Sequence, residues 1–121
     1  MTTWLITGIG GGLGRALAEA ALARGDTVVG TTRKARDPQF EALAPGRAHA
    51  LCVDLTDEAS VKAAVDRAEE ITGGIDRLVN NAGYGLIGAI EEVSIEEAKA
   101  LFDVNLFAPL RMLRALLPYM R

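Results

Sequence analysis

A glycine-rich segment near the start of the chain, Thr7-Gly8-Ile9-Gly10-Gly11-Gly12-Leu13-Gly14, separates a short apolar run from an amphipathic stretch. The apolar run, Trp4–Thr7, has the composition of a buried strand. The stretch that follows predicts a helix that buries Leu13, Leu17 and Ala21. Because the N-terminus of a helix presents unpaired N–H groups, a tight strand-to-helix turn of this kind predicts a site for a phosphate.

The same alternation of apolar runs and amphipathic stretches continues along the chain. Three further strands are predicted, at Thr27–Thr32, Ala48–Val53 and Arg77–Asn80. A capping box at Ser94–Glu97 predicts the start of a final segment that stays mostly helical. The pattern indicates one α/β domain over residues 1–121, with four β-α units and helices on both faces of a parallel sheet.

The amino-acid composition limits which partners and which cellular compartment to expect. The 121 residues are 50% hydrophobic and carry a net charge of −3, which argues against a nucleic-acid or membrane partner. A single cysteine, Cys52, cannot form an internal disulfide, so we expect a cytoplasmic protein. We expect Cys52 to face the core and to have no metal-binding or nucleophilic role.

Three glycines of the loop have distinct predicted roles: Gly8 allows the tight turn, Gly12 a close approach of the ligand, and Gly14 close packing of the helix. The segment lacks the Lys-Ser/Thr ending of a P-loop, and Leu13 breaks the strict G-x-G-x-x-G pattern. An S-adenosylmethionine methyltransferase loop stays open as an alternative. That alternative is disfavoured because no acid ends the second strand.

The end of the second strand also predicts which dinucleotide binds. NAD(H) requires an acid there for the ribose 2′-hydroxyl, whereas NADP(H) requires a cation for the 2′-phosphate. Thr32 and Arg33 occupy this place, with Lys34 and Arg36 close behind and Asp37 as a possible neutralising partner. We therefore expect NADP(H) rather than NAD(H).

Four motifs in fixed order resemble the N-terminal half of the short-chain dehydrogenase/reductase family. They are the Thr7–Gly14 loop, Asp54-Leu55, Asn80-Asn81-Ala82-Gly83 and Val104-Asn105-Leu106. The resemblance implies a Rossmann-type doubly wound parallel sheet of strand order 3-2-1-4. It also implies an oxidoreductase that acts on a carbonyl or alcohol substrate.

Roles follow by resemblance at the matching positions. Asp54 would accept from the adenine amino group, and the segment from Asn80 to Gly83 would run beneath the nicotinamide-side ribose. Asn105 would be catalytic through a main-chain carbonyl that holds a water, and Pro109 leaves that carbonyl without its helical donor. The expected cofactor contacts are Thr7, Gly8, Gly10, Gly11, Gly12, Leu13, Gly14, Thr32, Arg33, Asp54, Leu55, Asn81, Ala82, Gly83 and Val104.

The family's catalytic Ser and Tyr-x3-Lys have no match in these residues. Neither Tyr84 nor Tyr119 is followed by a lysine four positions on, and capping of helix starts accounts for Ser60 and Ser94. We expect a fragment that comprises the cofactor-binding half and is inactive alone. A non-catalytic nucleotide-binding or interaction module remains the alternative.

Two further expectations concern partners. The small, apolar loop Tyr84–Ile90 suits a hydrophobic substrate. In the family's strand order the fourth strand has a bare edge, and the last helix carries apolar side chains at its surface, so we expect a homo-oligomer. Those side chains are Leu106, Leu110, Leu113 and Leu117.

Overall fold

The computed structural model describes all residues from Met1 to Arg121 and contains a parallel sheet of four strands. The strands are β1 (Thr3–Ile6), β2 (Thr27–Thr32), β3 (Ala48–Cys52) and β4 (Arg77–Val79), arranged in the order β3-β2-β1-β4. This is the predicted topology. Four of the eight strand ends differ from the predicted ones, each by one residue: Thr3 belongs to β1, whereas Thr7, Val53 and Asn80 belong to loops.

The helices are α1 (Gly12–Ala23), α2 (Pro38–Leu43), α3 (Glu58–Thr72), α4 (Ile95–Phe102) and α5 (Ala108–Met120). Helices α1 and α2 cover one face of the sheet and α3 and α5 the other, as predicted. Leu5 of β1 packs in one buried cluster with residues of α3 and α5, and the next residue, Ile6, packs in a second with residues of α1 and α2. This alternation follows from the two-residue period of a strand.

The buried face of α1 differs from the predicted one. Leu13 is 84% exposed and Leu17 36% exposed, whereas Gly14, Ala18 and Leu22 are buried with Ala21. Because Gly14 has no side chain, the first turn of the helix can lie close to the Gly8 carbonyl and the Asn81 side chain. The helix is therefore rotated so that Gly14, Ala18, Ala21 and Leu22, rather than its first two leucines, face inward.

Two other expectations were wrong. Cys52 is exposed at the end of β3, where its Sγ donates to the carbonyl of Arg33 at 3.6 Å, and the next residue, Val53, is the one buried in the core. Ser60 does not cap α3. Asp57 caps that helix by accepting from Ala59 N, and the Ser60 hydroxyl accepts from the amide of Asp54 instead.

The final helical segment begins with the predicted capping box, in which Ser94 and Glu97 bond to each other's backbone amides. Between α4 and α5 lies a π-helical turn, Asp103–Phe107, in which Ala108 N donates to Asp103 O. Pro109 follows directly, and a residue without an amide hydrogen favours such a local widening. None of the helices combines the length and apolar character needed to cross a bilayer.

Candidate nucleotide-binding site

The glycine loop is anchored to β2 by its backbone. The N–H groups of Gly8 and Ile9 both donate to the carbonyl of Thr31, at 3.1 and 3.0 Å. The fully buried Ile9 side chain lies against Gly30, where an added Cβ would meet it at 2.6 Å. The absence of a side chain at Gly30 therefore leaves the space that Ile9 fills. Gly8 forms the turn itself, with a φ of +75°.

A second set of contacts ties the loop to the end of β4. The Thr7 hydroxyl accepts from the amides of Asn81 and Ala82, each at 3.0 Å. In return, the Asn81 side-chain amide donates to the carbonyls of Thr7 and Gly8, each at 3.1 Å. These four contacts, here called the Thr7–Asn81 network, are all internal to the protein. Thr7 and Asn81, both expected to contact the cofactor, therefore also fix the shape of the glycine loop.

Gly14 is required by this network. A Cβ at Gly14 would lie 2.3 Å from Asn81 Nδ2 and 2.4 Å from the carbonyl oxygen of Gly8. The predicted role of Gly14, close packing, is correct in kind, but the partner is the loop and an amide side chain rather than the strand.

The N-terminus of α1 is open to a ligand. Gly11 precedes the helix without a side-chain cap, and the first turn carries no acidic residue. Cβ atoms built on Gly10, Gly11 and Gly12 would meet nothing within 4 Å, so the backbone can be approached closely. Uncapped N–H groups and the positive end of the helix dipole fit the pyrophosphate of a dinucleotide. Leu13 is exposed beside them.

The segment after β2 carries three exposed cations, Arg33, Lys34 and Arg36. None of them forms an ion pair within the chain. The predicted partner, Asp37, bonds elsewhere: it caps α2 by accepting from Phe40 N at 3.1 Å and pairs with Arg15 of α1 at 3.2 Å. Asp37 therefore forms no ion pair with Lys34 or Arg36, and the alternative in which it neutralises them has no contact to support it.

Asp54 lies at the exposed start of the loop after β3. Its Oδ1 accepts from the hydroxyl and the amide of Thr56, at 2.6 and 3.0 Å, and the hydroxyl contact above all lowers the pKa of the Asp54 carboxyl. Arg111 of α5 lowers it further through its charge. The Oδ2 atom of Asp54 has no protein partner, so an ionised acceptor remains available.

Arg111 also fixes the adjacent backbone. Its Nη1 atom donates to the carbonyls of Leu55 and Asp103, at 3.0 and 3.2 Å, and its Nη2 atom pairs with the Asp103 carboxylate. This guanidinium joins the loop after β3 to the π-helical turn that carries Val104 and Asn105. Sequence reasoning missed it, because an arginine on a helix gives no signal of which distant carbonyl it reaches.

Asn105 reaches back to the loop after β4. Its Oδ1 atom accepts from Tyr84 N at 3.0 Å, and its Nδ2 atom donates to Tyr84 O at 2.7 Å. Gly83 lies beneath, where a Cβ would meet Asn105 Oδ1 at 2.9 Å. The side chain thus pairs with the loop backbone in both directions, a contact not anticipated by the role assigned to its carbonyl.

The loops after β1, β3 and β4 meet at the carboxyl edge of the sheet, where a hollow is lined by Thr7, Leu55, Asn80, Ala82, Ala108 and Pro109. A family model described as short chain dehydrogenase matches residues 2–121. The chain belongs to the short-chain dehydrogenase family. This membership removes the S-adenosylmethionine methyltransferase alternative.

Other short-chain dehydrogenases show the extent of the likeness. The NADPH-dependent 3-dehydrocapnine reductase of Ornithobacterium rhinotracheale is 39% identical over 116 residues, which cover 93% of this chain and 41% of that protein. A short-chain dehydrogenase from Streptomyces avermitilis has a structure with a TM-score of 0.93 and 43% identity, matched over 98% of this chain and 44% of its own. The 3-ketoacyl-(acyl-carrier-protein) reductase from Brucella melitensis, solved with NADH, has a TM-score of 0.87 and 35% identity, over 98% and 50%.

The chain spans about two fifths of the length of the curated relatives that it matches. As a family, the short-chain dehydrogenases are oxidoreductases whose class of cofactor is NAD(P)(H).

Proposed function

We propose that residues 1–121 form the NAD(P)-binding Rossmann domain of an NADP(H)-dependent oxidoreductase that acts on a carbonyl or alcohol substrate. In this proposal the N-terminus of α1 holds the pyrophosphate and Asp54 accepts from the adenine. The segment 80–83 supports the nicotinamide end, with Val104 and Asn105 behind it. NADP(H) would supply the hydride.

The observation that carries the choice of NADP(H) is the set of unpaired cations after β2. Arg33 directly follows the last residue of that strand, and no carboxylate of the chain pairs with it or with Lys34 or Arg36. A free guanidinium recognises a phosphate through charge-assisted hydrogen bonds. The relatives do not decide the point, since one is named as NADPH-dependent and another is solved with NADH.

Replacing Arg33 tests the proposal. A charge-assisted contact contributes about 1.5 to 3 kcal/mol, so Arg33→Ala should weaken NADPH binding by roughly 10- to 150-fold and leave NADH nearly unchanged. Titration calorimetry on the 121-residue chain measures both. Arg67→Ala is the matched control, because Arg67 is an exposed arginine of α3 that pairs with Glu70. Equal losses for both nucleotides in Arg33→Ala would refute the assignment.

The competing interpretation is a nucleotide-binding module without catalysis. We expect the 121-residue chain to bind NADPH without turning over apolar ketones and aldehydes, because it offers no tyrosine-lysine pair to donate a proton. A version extended by the natural downstream residues should turn over if the protein is an enzyme. Turnover by the short chain itself would instead direct attention to Tyr84 as the acid.

The substrate class rests on the loop Tyr84–Ile90. Ile87 is 99% exposed and Ile90 92% exposed, which suits contact with an apolar carbonyl or alcohol. We also propose that the protein is cytoplasmic, which its single cysteine, Cys52, supports.

We also propose self-association. Leu106 and Leu110 are about half exposed, and Leu113 and Leu117 lie near 40% exposure on the same helical segment. Such a stripe is unfavourable in water and favours association. Sedimentation of the dilute chain as a compact monomer would contradict this proposal.

A further inference from the structure

An ion pair between Arg15 and Asp37 joins the two elements proposed to bind the nucleotide. Arg15 is in the first turn of α1, three residues after the glycine loop opens into the helix, and Asp37 ends the segment that follows β2. The atoms Arg15 Nη1 and Asp37 Oδ2 are 3.2 Å apart.

The pair is well sheltered. The Asp37 side chain is 11% exposed and that of Arg15 is 23% exposed. The Arg15 guanidinium also lies 5.1 Å from the centre of the Phe40 ring, which is fully buried. Sheltered charges are screened less by salt and water than surface charges are, so an unpaired carboxylate at this position would act over a longer range.

The negative charge of that carboxylate bears on which nucleotide this part of the fold can bind. An acid shortly after β2 selects the 2′-hydroxyl of NAD and repels the 2′-phosphate of NADP. Asp37 is the one acid in the segment from Arg33 to Asp37, next to Arg36 in sequence. It takes its cation from α1 instead, and the three neighbouring cations stay free.

We propose that Arg15 is a specificity-determining residue that masks the Asp37 carboxylate, so that the segment after β2 presents only positive charge to the nucleotide. The inference rests on the proposed preference for NADP(H). It assigns Arg15 no contact with the nucleotide, since its guanidinium is held by Asp37 and, at 3.5 Å, by Glu19.

The test compares dissociation constants for NADPH and NADH across four variants. Arg15→Gln keeps a donor for Asp37 but removes the positive charge, and we expect NADPH to bind roughly tenfold more weakly while NADH binds unchanged or more tightly. Asp37→Asn keeps an oxygen that caps α2, and it should bind NADPH at least as tightly as the wild type. The double variant should return to within about threefold of the wild type. Glu19→Gln, the control, removes the other partner of Arg15 and should change neither constant.

Arg15→Met, which keeps the aliphatic stem over Phe40, replaces Arg15→Gln if that variant is not folded at the assay temperature. A double variant as weak as Arg15→Gln would show that Arg15 contacts the phosphate directly, and would overturn the inference. The inference would also be overturned if Arg15→Gln bound NADPH as tightly as the wild type while Arg33→Ala lost the preference for NADPH over NADH. That result would leave the proposed function intact. A wild type with no preference for NADPH would overturn both.

Discussion

Gly14 offers a direct test of how the glycine loop is built. In Gly14→Ala the new methyl group would lie 2.3 Å from Asn81 Nδ2 and 2.4 Å from the carbonyl oxygen of Gly8. Neither neighbour is the free end of a flexible chain, because the Asn81 amide is held by two carbonyls and the other atom is backbone. The substitution should therefore displace the Asn81 side chain from the loop.

The expected cost has three parts. Forcing a methyl group into a packed contact costs about 1 to 3 kcal/mol. Losing the two hydrogen bonds of Asn81 costs about 0.5 to 1.5 kcal/mol each. Alanine is favoured over glycine inside a helix by about 1 kcal/mol, which offsets part of the loss. The net decrease in the free energy of unfolding should be about 3 kcal/mol.

Urea unfolding followed by the fluorescence of Trp4, the one tryptophan of the chain, measures this quantity. The control is Gly10→Ala, whose methyl group would meet no atom within 4 Å, and which should stay within about 0.5 kcal/mol of the wild type. Equal stability of the two alanine variants would refute the assignment of Gly14 to the Thr7–Asn81 network.

Two further predictions concern side chains outside the loop. Asn105→Leu removes both contacts with the Tyr84 backbone, so it should lower the free energy of unfolding by about 1 kcal/mol and speed proteolysis near Tyr84; cleavage at the wild-type rate would contradict this role. The Trp4 indole N–H, which donates to Asp26 at 3.0 Å, lowers the pKa of that carboxyl. The stabilisation that ionised Asp26 gives the folded state is therefore complete above the pKa of an unfolded aspartate, near 3.9. It is lost as the pH falls through the lower pKa that Asp26 has in the folded protein. Urea midpoints between pH 6 and pH 3 should fall more steeply in the wild type than in Asp26→Asn, and parallel curves would count against the contact.

The strands and helices were predictable because the spacing of apolar residues differs between the two. Their alternation predicted a parallel sheet, and the family resemblance supplied the strand order. The orientation of α1 was not predictable from the sequence. Leu13 and Leu17 have the spacing of a buried face, but the contact of Gly14 with Asn81 turns a different face of the helix inward. The burial of Cys52 was predicted wrongly because adjacent strand residues face opposite sides, and the apolar sequence Cys52-Val53 does not indicate that Val53 is the one in the core.

The candidate site was predictable as a set of positions and less so as a set of roles. Thr7, Gly8 and Asn81 lie together at the carboxyl edge of the sheet, where their polar groups bond to one another. The partners of Arg111 and Asp37 lie 56 and 22 residues away in sequence. No local pattern encodes such pairs, since they depend on which loops the finished sheet brings together.

The Thr7–Asn81 network has a consequence for folding kinetics. It joins residues 74 positions apart, so closing it requires a long chain segment to be ordered first, and contacts of such high sequence separation form slowly. An intermediate with β1, β2 and α1 in place but β4 undocked would lack the amide that holds the carbonyls of Thr7 and Gly8. Nucleotide affinity should therefore arise in the last step of folding rather than with the first β-α unit. A bound nucleotide would then slow global unfolding while leaving the early collapse rate unchanged.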